Sequence, residues 1–380
     1  MPETNSTTDM KLSWLNNTFL EKVVKTSEED DSLRVTSFDL GRATAAGDNY
    51  SSVMYRVKVH YTTRGHSGSR SFVIKTLPTT EKMAEMIKES NVFQRESDVI
   101  SKIAPRVYDI LQKASEDRKK TQPFAAKCIY SQLEYPDVII VLEDLKEEGF
   151  RMAERTEGLD MDHCLLVLRT LAKYHAATAV LYEQDPQLFE NRSGKICITT
   201  TAVDYVIKSY QKQDGDFNVL THGDLWLNNM MFRYSESTGR VQDIRFVDFQ
   251  LVNVTSAAFD LHYFLSTSPS PNLLKKHDIL IEEYHKTLEE TFALLDHKHL
   301  HPPIEKLKKE LDKKGLFAVI IACTLLPFVL VEHSKVPDID KVLKNEEGVK
   351  FSKKYLETLE KMVPIFEEKG WLDVEKFLKE

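Results

Sequence analysis

Val219-Leu220-Thr221-His222-Gly223-Asp224-Leu225-Trp226-Leu227-Asn228-Asn229-Met230-Met231-Phe232 is the stretch that decides how this 380-residue chain reads. Apolar runs flank a polar cluster, so the flanks anchor a loop and the loop presents side chains. Asp224 and Asn229 are five residues apart, and nineteen residues further on Phe246-Val247-Asp248-Phe249-Gln250 sets an acid in what reads as a buried strand. A lone buried carboxylate is expensive, so Asp248 calls for a cationic partner or a metal. An isolated H-x-D serves equally well to cap a turn. The specific signal is H-x-D-x-x-x-x-N followed by the strand acid.

That set suits phosphoryl transfer, in which the protein chiefly positions groups and neutralises phosphate charge. One Asp takes or orients the proton of an acceptor hydroxyl. An Asn and a further Asp hold Mg²⁺, a hard ion that prefers oxygen ligands and keeps several waters. The first part of the chain supplies matching pieces. Lys75 ends the compact strand Phe72-Val73-Ile74-Lys75, and Glu96 follows 21 residues later on an expected helix. Each alone reads as a surface residue; together they suggest an ammonium held by a carboxylate for nucleotide phosphates. Gly47, Asn49 and Ser51, in Gly47-Asp48-Asn49-Tyr50-Ser51-Ser52, lie between two strands and suit a loop covering phosphates, though a plain hairpin turn reads as well. The segment is neither a Walker A nor a G-x-G-x-x-G loop. Val138-Ile139-Ile140-Val141-Leu142-Glu143-Asp144-Leu145 runs from apolar strand into acidic turn, which suits a hinge or an ordinary strand end.

Composition narrows the classes. Charge is 51 basic against 59 acidic, a net of −8, which argues against a nucleic-acid partner. Four scattered cysteines form no CxxC pair, which fits a reducing compartment. The N-terminus has no basic region followed by an apolar run. The apolar run Leu316 to Val331 contains Pro327 and is short of a bilayer span. No membrane partner and a cytoplasmic location are therefore expected.

Patterning predicts a short helix near Trp14–Val24, strands between about 33 and 76, a helix over 80–103 ended by Pro105, and strands near 127–133 and 138–142. Beyond about 160 the pattern is mainly helical, with helices over 161–182, 276–296 and 352–368 and strand character within 218–250. Ser115–Lys120 reads as a solvated loop. His175 reads as a packed helix residue, and Leu316 to Val331 as a buried core helix.

GDNYSS at 47–52, FVIK at 72–75, FQRE at 93–96, VLEDL at 141–145, LAKYHA at 171–176, HGDLWLNN at 222–229 and VDFQ at 247–250 together resemble the ecdysteroid kinase-like family. That family is related to the choline and aminoglycoside phosphotransferases. The resemblance spans roughly 35 to 335. It implies an α+β, protein-kinase-like bilobal fold: a β-rich N-lobe over 1–142, a hinge at 143–147 and a helical C-lobe over 148–380. It implies Asp224 as catalytic base, Asn229 and Asp248 as Mg²⁺ ligands, Lys75 as phosphate-binding lysine and Glu96 as its partner. Glu143 and Leu145 fall where the family's hinge meets adenine. His222 supports the loop, and Asp260 looks like a buried acid that braces it.

The expected activity is ATP- and Mg²⁺-dependent phosphorylation of a hydroxyl on a small molecule, such as an ecdysteroid. HGD stands in place of HRD, Gln250 in place of the Gly of DFG, and only 11 residues separate Asp248 from Asp260. That leaves little room for a peptide-docking activation segment. A nucleotide-binding pseudokinase and a choline- or aminoglycoside-type kinase are the alternative readings.

Overall fold

The computed structural model describes Leu12 and residues 14–43, 52–78, 81–115, 121–190, 209–331 and 351–378. The chain divides into two compact units, Met1–Glu85 with Lys127–Asp144, and Met86–Ala126 with Leu145–Glu380.

The first unit is built on alternation. In β2 (Val53–Thr62) Tyr55, Val57 and Val59 are buried, while Lys58 between them is exposed. β2 is followed by β3 (Ser67–Thr76) and preceded by β1 (Arg34–Arg42); with β4 (Cys128–Gln132) and β5 (Ile139–Glu143) they form an antiparallel sheet in the order β1-β2-β3-β5-β4. β3 is central, and its last six residues, Ser71 to Thr76, are all buried. Helix α1 (Asn17–Glu28) starts where the Asn16 side chain accepts the Phe19 N–H at 2.9 Å. It presses Leu20, Val23 and Val24 onto Val57, Phe72, Ile74 and Val141. Each such fully buried side chain contributes about 1.5–3 kcal/mol. Asp144, just past β5, ties the sheet together. Its carboxylate accepts from Arg56 Nε at 2.6 Å and Nη2 at 3.2 Å, and from Ser71 Oγ at 2.8 Å. The paired Arg contact makes this buried acid affordable to the fold.

The expected single helix over 80–103 is not continuous. Helix α2 (Glu81–Glu89) breaks at Asn91, whose φ of 56° is left-handed, and α3 (Val92–Asp98) follows. Pro105 does not end a helix. A π turn at Val99–Ile103 leads directly into α4 (Ala104–Ala114), with Pro105 in its first turn. There a missing N–H costs nothing and the fixed φ is already helical. Residues 86–126, placed with the N-lobe by the sequence reading, cluster with the second unit. The reason is packing: α3 lies on the turn Phe249–Leu251, with Arg95 Nε donating to the Gln250 carbonyl at 3.0 Å, and α4 lies on α5 (Met161–Gln184).

Asp160 caps α5 by accepting the His163 N–H at 3.0 Å. α5 has the length and apolarity of a membrane span, but most of it is buried inside the protein, as in a core helix. It packs against helix His277–Leu294, close to the expected 276–296. Two small sheets lie in this unit: β7 (Asn218–Thr221) with β10 (Asn253–Ser256), and β8 (Met230–Tyr234) between β6 (Phe150–Met152) and β9 (Val241–Phe246). Helix α6 (Ala258–Thr267) is buried at every position. The apolar run after Gly315 forms two helices, Gly315–Thr324 and Leu326–Val329, rather than one. Pro327 cannot donate to the Cys323 carbonyl, so the first helix stops. Helix Lys353–Glu368 matches the expected 352–368. Cys128, Cys164 and Cys323 are free thiols, and Cys197 lies outside the described residues.

Candidate active site

The loop after β7 is suspended from one carboxylate. Asp260, on α6, is fully buried; its Oδ2 accepts the His222 N–H at 2.7 Å and its Oδ1 the Gly223 N–H at 2.9 Å. His175 Nε2, on α5, donates to the same Oδ2 at 3.1 Å. The other ring nitrogen of His175 meets the Tyr284 hydroxyl at 2.7 Å. His175 is therefore packed, as its helix position suggests, but it also holds the acid that holds the loop.

Gly223 permits this arrangement. Its φ is +80°, and a Cβ there would lie 2.1 Å from the Leu251 carbonyl oxygen and 2.7 Å from the Tyr210 hydroxyl oxygen. His222 bridges to the next segment. A carbonyl only accepts, so Nε2 carries the proton donated to Val247 O at 3.0 Å, and Nδ1 accepts the Asp224 N–H at 3.3 Å.

Asp224 is partly exposed, with each oxygen engaged. Asn229 Nδ2 donates to Oδ2 at 2.8 Å and to the Asp224 carbonyl at 2.9 Å. The Tyr263 hydroxyl, from α6, donates to Oδ1. Burial pushes the Asp224 carboxyl above the usual range; the Tyr263 hydrogen bond opposes that rise, and the charge of Asp248 adds to it. Burial, and then the charge of Asp224, hold the Tyr263 phenol well above its ordinary value, so it remains a donor.

Asp248 is not embedded in a strand. β9 ends at Phe246, and Asp248 sits beyond it with φ 67° and ψ 64°, partly exposed, leading into the short turn Phe249–Leu251. Asp is among the few residues that adopt this left-handed conformation readily. Asp224, Asn229 and Asp248 thus combine two electrostatically coupled carboxylates with one amide. Among the described residues no group of three or more His, Cys, Asp or Glu side chains is placed to hold a metal unaided. The Asp248 carboxylate and the Asn229 amide oxygen suit Mg²⁺, which keeps several waters and shares substrate phosphates, while both Asp224 oxygens are taken up by Asn229 and Tyr263. A divalent cation would also relieve the repulsion between the two acids.

The remaining expected residues fall as follows. Lys75 is on β3, 1% exposed, opposite Met54 of β2 and Ile140 of β5. Glu96 is on α3 in the other unit, 2% exposed, and Gln250 Nε2 lies 3.5 Å from its Oε2. Glu143 ends β5, where its Oε1 accepts the Lys127 N–H at 2.7 Å. Leu145 opens the second unit, buried, and its carbonyl accepts the Phe150 N–H at 3.0 Å. Gly47, Asn49 and Ser51 lie outside the described residues. Sequence reading passed over Tyr263, 39 residues from Asp224 in a helix that is buried all round, polar and apolar residues alike, and so carries no face signal.

A family model described as the ecdysteroid kinase-like family matches residues 46–201 and 195–297. No curated protein matches the chain in sequence. Among solved structures, a Plasmodium vivax ethanolamine kinase is 15% identical, with 95% of this chain and 91% of that chain covered, at a TM-score of 0.45. An aminoglycoside 2'-phosphotransferase-IIIa mutant in complex with GDP is 11% identical, with 81% and 98% covered, at a TM-score of 0.35.

Proposed function

This chain belongs to the ecdysteroid kinase-like family, and we propose that it is an ATP-dependent kinase that phosphorylates a hydroxyl of a small molecule. The observation that carries the reading is Asp224: a partly exposed carboxylate, raised in pKa, with both oxygens fixed, on a loop anchored to buried Asp260. Such a group is suited to accept a proton from an attacking alcohol. In the proposed reaction the acceptor oxygen bonds to the γ-phosphorus, the bond from that phosphorus to the β–γ bridging oxygen breaks, and the acceptor's proton goes to Asp224. ADP and the phosphorylated alcohol leave.

Asn229 and Asp248 would hold Mg²⁺, which when bound supplies neutralisation of phosphate charge. Lys75 is assigned to the nucleotide phosphates, Glu96 to supporting that lysine, and Glu143 and Leu145 to the base. Gly47, Asn49 and Ser51 are assigned to covering the phosphates. His222 and Asp260 keep the loop in place. The acceptor proposed is an ecdysteroid or a similar hydroxylated compound, with neither nucleic acid nor membrane as partner, acting in the cytoplasm.

The test is ADP release from Mg²⁺ and ATP with a panel of ecdysteroids, choline, ethanolamine and aminoglycosides, using wild type and Asp224→Asn. Loss of a positioned general base lowers turnover about 10²–10⁴-fold, with ATP still raising the melting temperature. Unchanged turnover in the variant would remove Asp224 from its role. Nucleotide binding without turnover on any acceptor would favour the pseudokinase alternative.

A further inference from the structure

We propose that Tyr263 is a positioning residue for the proposed base, holding the Asp224 carboxylate in the orientation that receives the acceptor's proton; this rests on the kinase reading above. Asp224 has two side-chain torsions. Asn229 alone fixes only Oδ2, by one 2.8 Å contact, and leaves Oδ1 free to swing about it. The Tyr263 hydroxyl supplies the second point, on Oδ1. Two points fix the plane of the carboxylate. A carboxylate has about four acceptor positions, so the clamp still leaves room for the acceptor's O–H.

Tyr263 is itself held firmly. It is 7% exposed and packs in an aromatic cluster with Phe259 and Phe317, with its ring centroid 6.3 Å from that of Phe317. Half-buried Tyr210, Trp226, Ile320, Ile321 and Leu325 close around that cluster. Its helix, α6, is buried at all positions. Tyr263 is also three residues after Asp260, so both side chains leave the same face of α6. One turn of helix thus fixes the loop twice: Asp260 takes the backbone N–H groups of His222 and Gly223, and Tyr263 takes the side chain of Asp224. During transfer Tyr263 keeps its proton and only donates a hydrogen bond; the acceptor's proton goes to Asp224.

The experiment uses the full chain with Tyr263→Phe, which removes the hydroxyl and keeps the ring. The acceptor is whichever alcohol the panel shows to be phosphorylated. Misplacing a reacting group by about 1 Å costs up to roughly 10²-fold in rate. We expect kcat to fall roughly 10–100-fold, with KM for ATP and for the acceptor, and the melting temperature, close to wild type. In an Asp224→Asn background, measured as single turnovers with enzyme in excess, Tyr263→Phe should have no further effect, because groups that act as a unit are not additive. A kcat within about 2-fold of wild type would overturn the proposal. So would a loss that sits in KM or in thermal stability, or an equal loss in both backgrounds. If wild type phosphorylates none of the acceptors, the kinase reading itself fails and Tyr263 loses its role with it. An active wild type with an indifferent Tyr263→Phe sinks Tyr263 alone.

Discussion

Asp260→Asn should destabilise the protein by about 3–5 kcal/mol, and the figure follows from counting donors. The native carboxylate accepts from three: the His222 and Gly223 backbone N–H groups and His175 Nε2. An amide has one oxygen. Its best orientation puts that oxygen where Oδ2 was, keeping His222 and His175, and turns Nδ2 toward the Gly223 N–H. That leaves the part-buried Gly223 N–H and the new amide N–H facing each other as donors, at about 1–3 kcal/mol. The two bonds that survive change from charge-assisted to neutral, losing about 1 kcal/mol each. At about 2–4 °C per kcal/mol for a unit of this size, the melting temperature should drop by roughly 6–20 °C. Thermal unfolding followed by near- and far-UV circular dichroism measures it. Asp109→Asn, from the exposed pair with Lys113, is the control and should change stability by less than about 1 kcal/mol. If Asp260→Asn unfolds within about 3 °C of wild type, the loop does not depend on this carboxylate.

Gly223→Ala must place a Cβ at positive φ and against the Leu251 carbonyl. Left-handed backbone costs about 1–2 kcal/mol and the clash about 1–3 kcal/mol, so urea unfolding should show a loss of roughly 2–5 kcal/mol; less than about 1 would mean the loop yields. Burial lowers the pKa of His262 from 6.5 to about 4. The folded state holds it neutral, so its stabilising effect is complete above pH 6.5 and disappears as pH falls toward 4, on the order of 3 kcal/mol. His262 Nε2 donates to the Leu311 carbonyl at 2.8 Å, a bond that glutamine can replace. His262→Gln should therefore flatten the fall in melting temperature between pH 7 and 4.5, and an unaltered slope would exclude His262 as its source.

Much of the secondary structure was legible because local signals agreed. α5 begins at a capping Asp160 and runs through a continuous apolar pattern, and its expected and observed limits nearly coincide. The strands around Tyr55–Val59 and Phe72–Lys75 show alternation or a compact β-branched run. Pro105 was misread because a proline marks a helix start as readily as a stop, and only the π turn before it distinguishes the two. Asn91 broke a helix that apolar spacing ran straight through. At the candidate site, residues on one loop were legible by spacing. The groups that hold them were not: Tyr263 reaches Asp224 across 39 residues, and His175 reaches Asp260 across 85. Asp144 was passed over as part of an acidic turn, because its Arg56 partner is 88 residues away.

α6 supplies both anchors of the candidate loop and has no exposed face on which to move. It cannot shift without unpacking the interior of its unit. The shape of the loop is therefore set during folding, and a ligand of the proposed kind would find it ready and spend little of its binding energy on ordering that segment. The same linkage exposes the site from behind: a substitution that loosens the packing around Phe259 or Phe264 would disturb Asp224 without touching it.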